Sequence, residues 1–219
     1  MVGVLPKTVV FVEASDPASW TDQTLLPAEA VALGRDTVAK RRREFAAGRT
    51  CARRALAALD VYDIAILRGT KGEPLWPPGI VGSITHCADH CGAAVARRQD
   101  VVSIGIDVEF NQELPANIEE IVCTASERHL VNSAPYEEGI HWPTVTFSAK
   151  ESLYKAWFPL TRRWLDFDEV ELKIDWRRYS FTPCFATRNN PLDADLAARF
   201  VGRFALRGQY IWTAVFLPA

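Results

Sequence analysis

Hydrophobic and polar positions along the chain change period several times, and each change marks an element. Thr8–Glu13 is rich in Val and Phe and reads as a strand. Ala28 to about Phe45 has helical spacing, and a second helix is expected from about Arg49 to Leu59, with Gly48 near the break. Gly69–Gly79 is crowded with Gly and Pro and reads as a loop. Ile80–Thr85 and Gly92–Ala96 are expected as two strands joined by a short polar segment, and Val101–Glu109 as another strand. Helices follow over Glu119–Leu130 and over Phe147–Phe158, the latter closed by Pro159. Val170–Asp175 is a strand, and Arg199–Leu206 with Gln209–Leu217 form a hairpin around Arg207-Gly208.

The two halves echo each other. Val12-Glu13 resembles Val108-Glu109, and Phe45 to Arg53 lies over Phe147 to Lys155. Gly82 and Ala94-Val95 lie over Gly202 and Ala214-Val215. The matches come in one order, strand, helix, hairpin. They predict a duplicated α+β unit with halves 1–102 and 103–219, and a ligand cleft between them.

Composition narrows the class. The 219 residues are 48% hydrophobic and 24% charged, as in a globular protein with a core. No run approaches the ~18 apolar residues of a membrane span, and Met1–Ser15 lacks the layout of a signal peptide. Five cysteines, an odd number, point to free thiols in a reducing cytoplasm. A net charge of −2 argues against a nucleic-acid binder. The basic residues gather in the first half, at Lys40-Arg41-Arg42-Arg43, Arg49, Arg53 and Arg54. That block is either a solvated helix face or a site for a polyanion or an acidic protein.

Three segments carry candidate chemistry. In Val102–Glu109, strand alternation turns Ile104, Ile106 and Val108 to a core and Gly105, Asp107 and Glu109 to the other face. The two carboxylates read either as a solvated edge or as ligands of a hard cation such as Mg²⁺, beside a glycine that admits a close approach. In Phe147–Phe158, Ala149, Leu153, Ala156 and Trp157 form the core side. Glu151 and Lys155, four apart, read either as a surface ion pair or as a third carboxylate and a cation for phosphate charge. In Arg68–Cys87, a rigid Gly/Pro loop places Arg68 and Lys71 where a phosphate is held, and Thr85 and His86 end a strand as further donors. His86-Cys87-Ala-Asp-His90-Cys91 offers four soft ligands, but no second pair follows at zinc-site spacing, so packed free thiols are expected there.

Taken together, Gly105-Ile-Asp-Val-Glu109 and, some forty residues on, Lys150-Glu-Ser-Leu-Tyr-Lys155-Ala closely resemble the paired signature of 4′-phosphopantetheinyl transferases. Lys71-Gly-Glu-Pro and Thr85-His86 resemble the long, surfactin- and enterobactin-type subfamily. The Trp76-Pro to Cys87 stretch and Lys155-Ala-Trp-Phe-Pro-Leu-Thr resemble its actinobacterial members. The resemblance covers about residues 40–165. Phe147 departs from it, since many members have Trp there.

The resemblance implies a pseudo-two-fold monomer of two similar halves with the active site in the cleft. It implies that coenzyme A donates 4′-phosphopantetheine to a serine of acyl or peptidyl carrier domains of fatty-acid, polyketide or nonribosomal-peptide synthases, releasing 3′,5′-ADP. By resemblance Asp107, Glu109 and Glu151, with the Val108 carbonyl, hold Mg²⁺ or Mn²⁺. Glu151 is the first candidate base and Glu127 the second. Lys155 stabilises the leaving phosphate, and Arg41 and Arg49 bind the 3′-phosphate. Arg68, Lys71, Thr85 and His86 bind the other phosphates and the nucleotide, while Arg42, Arg43 and Arg53 face the surface or steer an acidic carrier. The alternative is a coenzyme A-binding module of the same fold without turnover.

Overall fold

A computed structural model describes residues 3–16, 19–34, 37–133, 139–185, 195–196 and 198–219. Its two main sheets carry one long helix each. The first sheet has the strand order β1-β5-β4, formed by Val10–Ala14, His90–Arg97 and Ile80–Cys87. The second has the order β6-β10-β9-β8-β7, formed by Val101–Phe110, Tyr210–Pro218, Val201–Arg207, Ser180–Phe185 and Val170–Asp175. All pairings are antiparallel. A short hairpin pairs β2 (Leu67–Arg68), just before the expected loop Gly69–Gly79, with β3 (Pro74–Leu75) inside it. α1 is Pro27–Leu33, α2 Ala39–Ala57, α3 Ala116–Val122, α4 Ala125–Ser133 and α5 Trp142–Thr161.

The two ladders correspond in register. Val95 of β5 lies between Val10 of β1 and Gly82 of β4. Val215 of β10 lies between Gly105 of β6 and Gly202 of β9. Gly82 and Gly202, matched in sequence, thus have the same partner position. The match of Val12-Glu13 to Val108-Glu109 is one residue out, because the register sets Val10 against Gly105.

Three expected boundaries differ. α2 runs unbroken through Gly48, and the break lies earlier, at Gly34 (φ 86°). Gly48 is there for space: a Cβ would stand 2.8 Å from Ile84 Cγ2, so the residue lets α2 lie on the first sheet. α5 passes Pro159 and ends at Arg162 in the left-handed region. The proline sits in the last turn, where the bond from Arg162 N to Phe158 O (2.8 Å) still closes the helix. The single helix expected over Glu119–Leu130 is two, because Thr124 starts α4 with a reciprocal cap. Thr124 N donates to Glu127 Oε2 (2.8 Å) and Glu127 N to Thr124 Oγ1 (3.3 Å).

Gly105 decides how the site is built. A Cβ there would lie 1.9 Å from Ser152 O and 2.7 Å from Ala156 N. What approaches this glycine is α5, whose backbone rests directly on β6. The contact brings Ser148 and Lys155, two turns apart on α5, to Asp107, two residues along β6. Ile104, Ile106 and Val108 point the other way, into a core shared with Val81, Ala94, Trp212 and Ala214. The first sheet docks on this strand through side-chain hydroxyls: Ser83 Oγ accepts Ile106 N (3.1 Å) and Thr85 Oγ1 accepts Val108 N (3.2 Å).

Candidate active site

Asp107 is 4% exposed and has both oxygens engaged. Oδ1 accepts from Thr85 Oγ1 at 3.0 Å and from Lys155 Nζ at 2.6 Å, and Oδ2 accepts from Ser148 Oγ at 2.8 Å. Lys155 also reaches Ile106 O (3.3 Å). Lys155 therefore pairs with Asp107, not with Glu151 as helical spacing alone implies. Burial opposes its charge, but Asp107, Glu151 and Glu109 together outweigh burial and hold its pKa above the usual value. Glu109, half-buried, accepts from Cys87 Sγ at 3.5 Å, and burial followed by Asp107 raises its pKa to about 7. Glu151 is also raised, by burial first and then by Asp107, with Lys155 opposing. Three carboxylates thus share one nearby ammonium.

These groups fit a hard divalent cation by donor type and by surplus negative charge. They do not form a closed cage: among the described residues no three His, Cys, Asp or Glu side chains are grouped as a metal site.

A cleft opens from this cluster. Its walls are Lys71, Gly72, Glu73, Pro74 and Trp76 of the β2–β3 segment, Gly82 to Ile84 of β4, and Glu151, Tyr154, Lys155, Phe158 and Pro159 of α5. A second cleft continues past Glu151 and Tyr154 to Trp164, Leu165, Phe167 and Val170. The Tyr154 hydroxyl, between the two, is buried without a hydrogen-bond partner among the described residues. Lys71 and Arg68 are exposed at the mouth of the segment. Glu73 holds that segment, accepting Lys71 N (3.0 Å) and Arg162 Nη1 (2.8 Å) from the end of α5.

Basic side chains adjoin the carboxylate cluster on its His86 side. Arg49 is 6% exposed, lies under the Phe45 ring at 4.0 Å, and donates Nε to Ile66 O (2.9 Å). Burial lowers its pKa to about 10, Glu29 opposes that, and Arg68 and Arg41 lower it further. The last two effects show three guanidiniums close enough to repel. Arg41 Nη1 meets His86 Nε2 at 2.5 Å. Arginine is only a donor, so Nε2 accepts and the ring proton sits on Nδ1, which faces Glu44 Oε2 at 4.0 Å. Burial lowers the His86 pKa, Glu44 opposes, and Arg41 and Lys155 lower it further, so the imidazole is neutral at pH 7.

Arg41 thus contacts His86, His86 lies near Lys155 and Asp107 of the carboxylate cluster, Arg49 lies near Arg41 and Arg68, and Lys71 lines the cleft with Glu151 and Lys155. Two residues fall outside this arrangement. Thr85 is 2% exposed and spends its only donor on Asp107, so it has none for a ligand oxygen. Glu127, 2% exposed, caps α4, takes Leu172 N at 2.7 Å and pairs with Lys150 at 2.7 Å. Lys150 gives its other protons to Val122 O (2.8 Å) and Phe167 O (2.7 Å), so the hydrogen bonds of this buried pair are used within the fold. Val108 is wholly buried opposite Trp212. Arg42 and Arg53 are also structural, pairing with Asp22 and Glu29. Ser148, Glu44 and Tyr154 were given no role in the sequence reading, and Cys87 was read only as a packed thiol. For Ser148 there was a signal, its seven-residue spacing from Lys155.

Comparison with known proteins shows the family. Residues 27–96 match the 4′-phosphopantetheinyl transferase N-terminal domain, and residues 103–207 match the 4′-phosphopantetheinyl transferase superfamily. The chain is 40% identical to 4′-phosphopantetheinyl transferase PptT of Mycobacterium tuberculosis over 99% of its own length and 97% of that protein. The chain belongs to the 4′-phosphopantetheinyl transferase superfamily. It is an enzyme of that class and resembles actinobacterial members. The chain is also 42% identical to 4′-phosphopantetheinyl transferase Svp of Streptomyces mobaraensis over 93% of its own length and 81% of that protein. Enterobactin synthase component D of Salmonella typhimurium matches at 36% over 53% and 48%. All five cysteines of the transferase are free thiols, and no helix among the described residues is long and apolar enough to cross a membrane.

Proposed function

We propose that this transferase takes 4′-phosphopantetheine from coenzyme A and places it on a serine of a carrier protein, releasing 3′,5′-ADP. The supporting observation is the continuity of the site. A group of basic side chains, Arg41, Arg49 and His86 with Arg68 nearby, adjoins a carboxylate cluster, and an amphipathic cleft leads away from that cluster. A polyanion with a long neutral arm matches that sequence of surfaces. Arg41 and Arg49 take the 3′-phosphate, and Arg68, Lys71 and His86 take the diphosphate and nucleotide. The arm lies along Tyr154, Phe158 and Trp164, where the free Tyr154 hydroxyl offers a hydrogen bond.

Asp107, Glu109 and Glu151 are the residues that would hold Mg²⁺, which when bound neutralises charge on the diphosphate. The serine oxygen forms a bond to the β-phosphorus, and the bond from that phosphorus to the bridging oxygen breaks. Glu151, whose basicity burial has raised, takes the serine proton, directly or through water. Lys155 stays charged and stabilises the departing phosphate oxygens.

The register match between the ladders supports a pseudo-two-fold relation of halves 1–102 and 103–219. A single chain lines the whole cleft, which supports a monomer, and its five free thiols support a reducing cytoplasm as the place where it acts on acyl and peptidyl carrier domains. The test is intact-mass analysis of apo carrier domains incubated with the protein, coenzyme A and Mg²⁺. A gain of one phosphopantetheinyl group, lost with chelator, is expected. Coenzyme A binding without a gain on any carrier would favour the non-catalytic module.

A further inference from the structure

Glu29 is wholly buried and lies outside the reacting cluster. Its Oε2 accepts Leu26 N at 3.0 Å and an Arg53 guanidinium proton, and its Oε1 accepts Ile66 N at 3.0 Å. Ile66 in turn receives Arg49 Nε on its carbonyl at 2.9 Å, and Leu67 receives Arg49 Nη2 at 3.5 Å. Glu29 and Arg49 thus grip the two faces of one backbone segment, residues 66–67, which runs directly into Arg68. Arg53, one turn beyond Arg49 on α2, closes the loop by donating also to Thr24 O at 2.6 Å. A buried carboxylate is costly, and an apolar contact would suffice to pin α1 on α2. What an apolar contact cannot do is accept the Ile66 N–H and so set the carbonyl that aims the Arg49 guanidinium. Glu29 also counters the effect of burial on Arg49.

We infer that Glu29 is a positioning residue that aims Arg49 at the 3′-phosphate of the donor through the Ile66–Leu67 backbone. The inference rests on the proposed role of Arg49. It differs from an electrostatic role in sign. Loss of a negative charge near an anion site by itself tightens the anion, whereas loss of position weakens it.

The experiment measures KM for coenzyme A and for 3′-dephospho-coenzyme A, with apo carrier, in full-length Glu29→Asp, Glu29→Gln and Arg49→Ala proteins, alongside their melting temperatures. Glu29→Asp keeps the charge and shortens the reach by one carbon. It should raise KM for coenzyme A about fivefold, within the range for residues sharing one hydrogen-bond network, and change the dephospho donor far less. Glu29→Gln keeps the reach and should show a smaller rise. Exchange protection of the Arg49 Nε–H should fall in Glu29→Asp, a readout independent of turnover. Equal losses for both donors in Glu29→Asp, with Arg49→Ala still discriminating, overturn the positioning role alone. Equal losses in Arg49→Ala overturn the 3′-phosphate reading and this inference with it. If Glu29→Asp does not fold, Glu29→Gln decides: tighter coenzyme A binding or parallel losses for both donors refute the inference, and a selective rise supports it.

Discussion

Thr85 Oγ1 donates to Asp107 Oδ1 at 3.0 Å and accepts Val108 N at 3.2 Å. One hydroxyl from the first sheet therefore holds both the side chain and the backbone of the strand that carries the carboxylates. Thr85→Val keeps the shape and removes both bonds, leaving a buried N–H unpaired. It should cost about 1–3 kcal/mol of stability, read by denaturant titration. Turnover should fall and the Mg²⁺ requirement rise, with KM for coenzyme A nearly unchanged. A rise confined to the coenzyme A KM would restore Thr85 to the ligand.

Glu127 separates structure from catalysis. Glu127→Gln leaves the Lys150 ammonium buried without its charge partner, at a cost of about 3–5 kcal/mol. Melting temperature should drop clearly, while kcat measured well below the transition, per folded molecule, stays near that of the parent. A folded, stable Glu127→Gln protein with kcat down by orders of magnitude would make Glu127 the base.

Gly105→Ala tests the contact that assembles the site. The new Cβ would meet the Ser152 carbonyl, part of a helix backbone that cannot rotate away. The expected cost is about 3 kcal/mol or more, at the upper end for overpacking. Calorimetry and soluble yield measure it. Any folded fraction should have lost turnover, because α5 lifts Ser148 and Lys155 from Asp107.

His86 should titrate below its ordinary value of 6.5, observed by NMR of the ring. Glu44 favours the imidazolium, so Glu44→Gln should lower the midpoint further. Arg41 disfavours it, so Arg41→Ala should raise the midpoint. Between the folded and unfolded pKa the unfolded chain binds the extra proton. Stability from the neutral ring is thus complete above 6.5 and declines as pH falls below it. A midpoint above 6.5 in the parent would contradict the Arg41–His86 contact.

Local pattern carried most of the strands, though not β8 or the short β2–β3 pair, together with α5 and the identity of the charged groups, because apolar period and backbone propensity act over a few residues. Asp107, Glu109, Glu151 and Lys155 were readable for the same reason: a strand alternates faces and a helix turn brings i and i+4 together. Two glycines with matching partner positions, Gly82 and Gly202, were also visible in the sequence. What it could not contain was which groups would meet. Gly48 has the local marks of a break, yet the packing of Ile84 against it keeps α2 whole. Lys155 has Glu151 as its helical neighbour, yet Asp107 wins it, because Gly105 lets α5 close on β6. Thr85 and Glu127 are polar residues at plausible ligand positions, and only long-range contacts reveal their hydrogen bonds as already spent. Spacing along a chain determines which face a side chain takes, and partners from distant segments decide whether that face meets solvent, ligand or a buried charge.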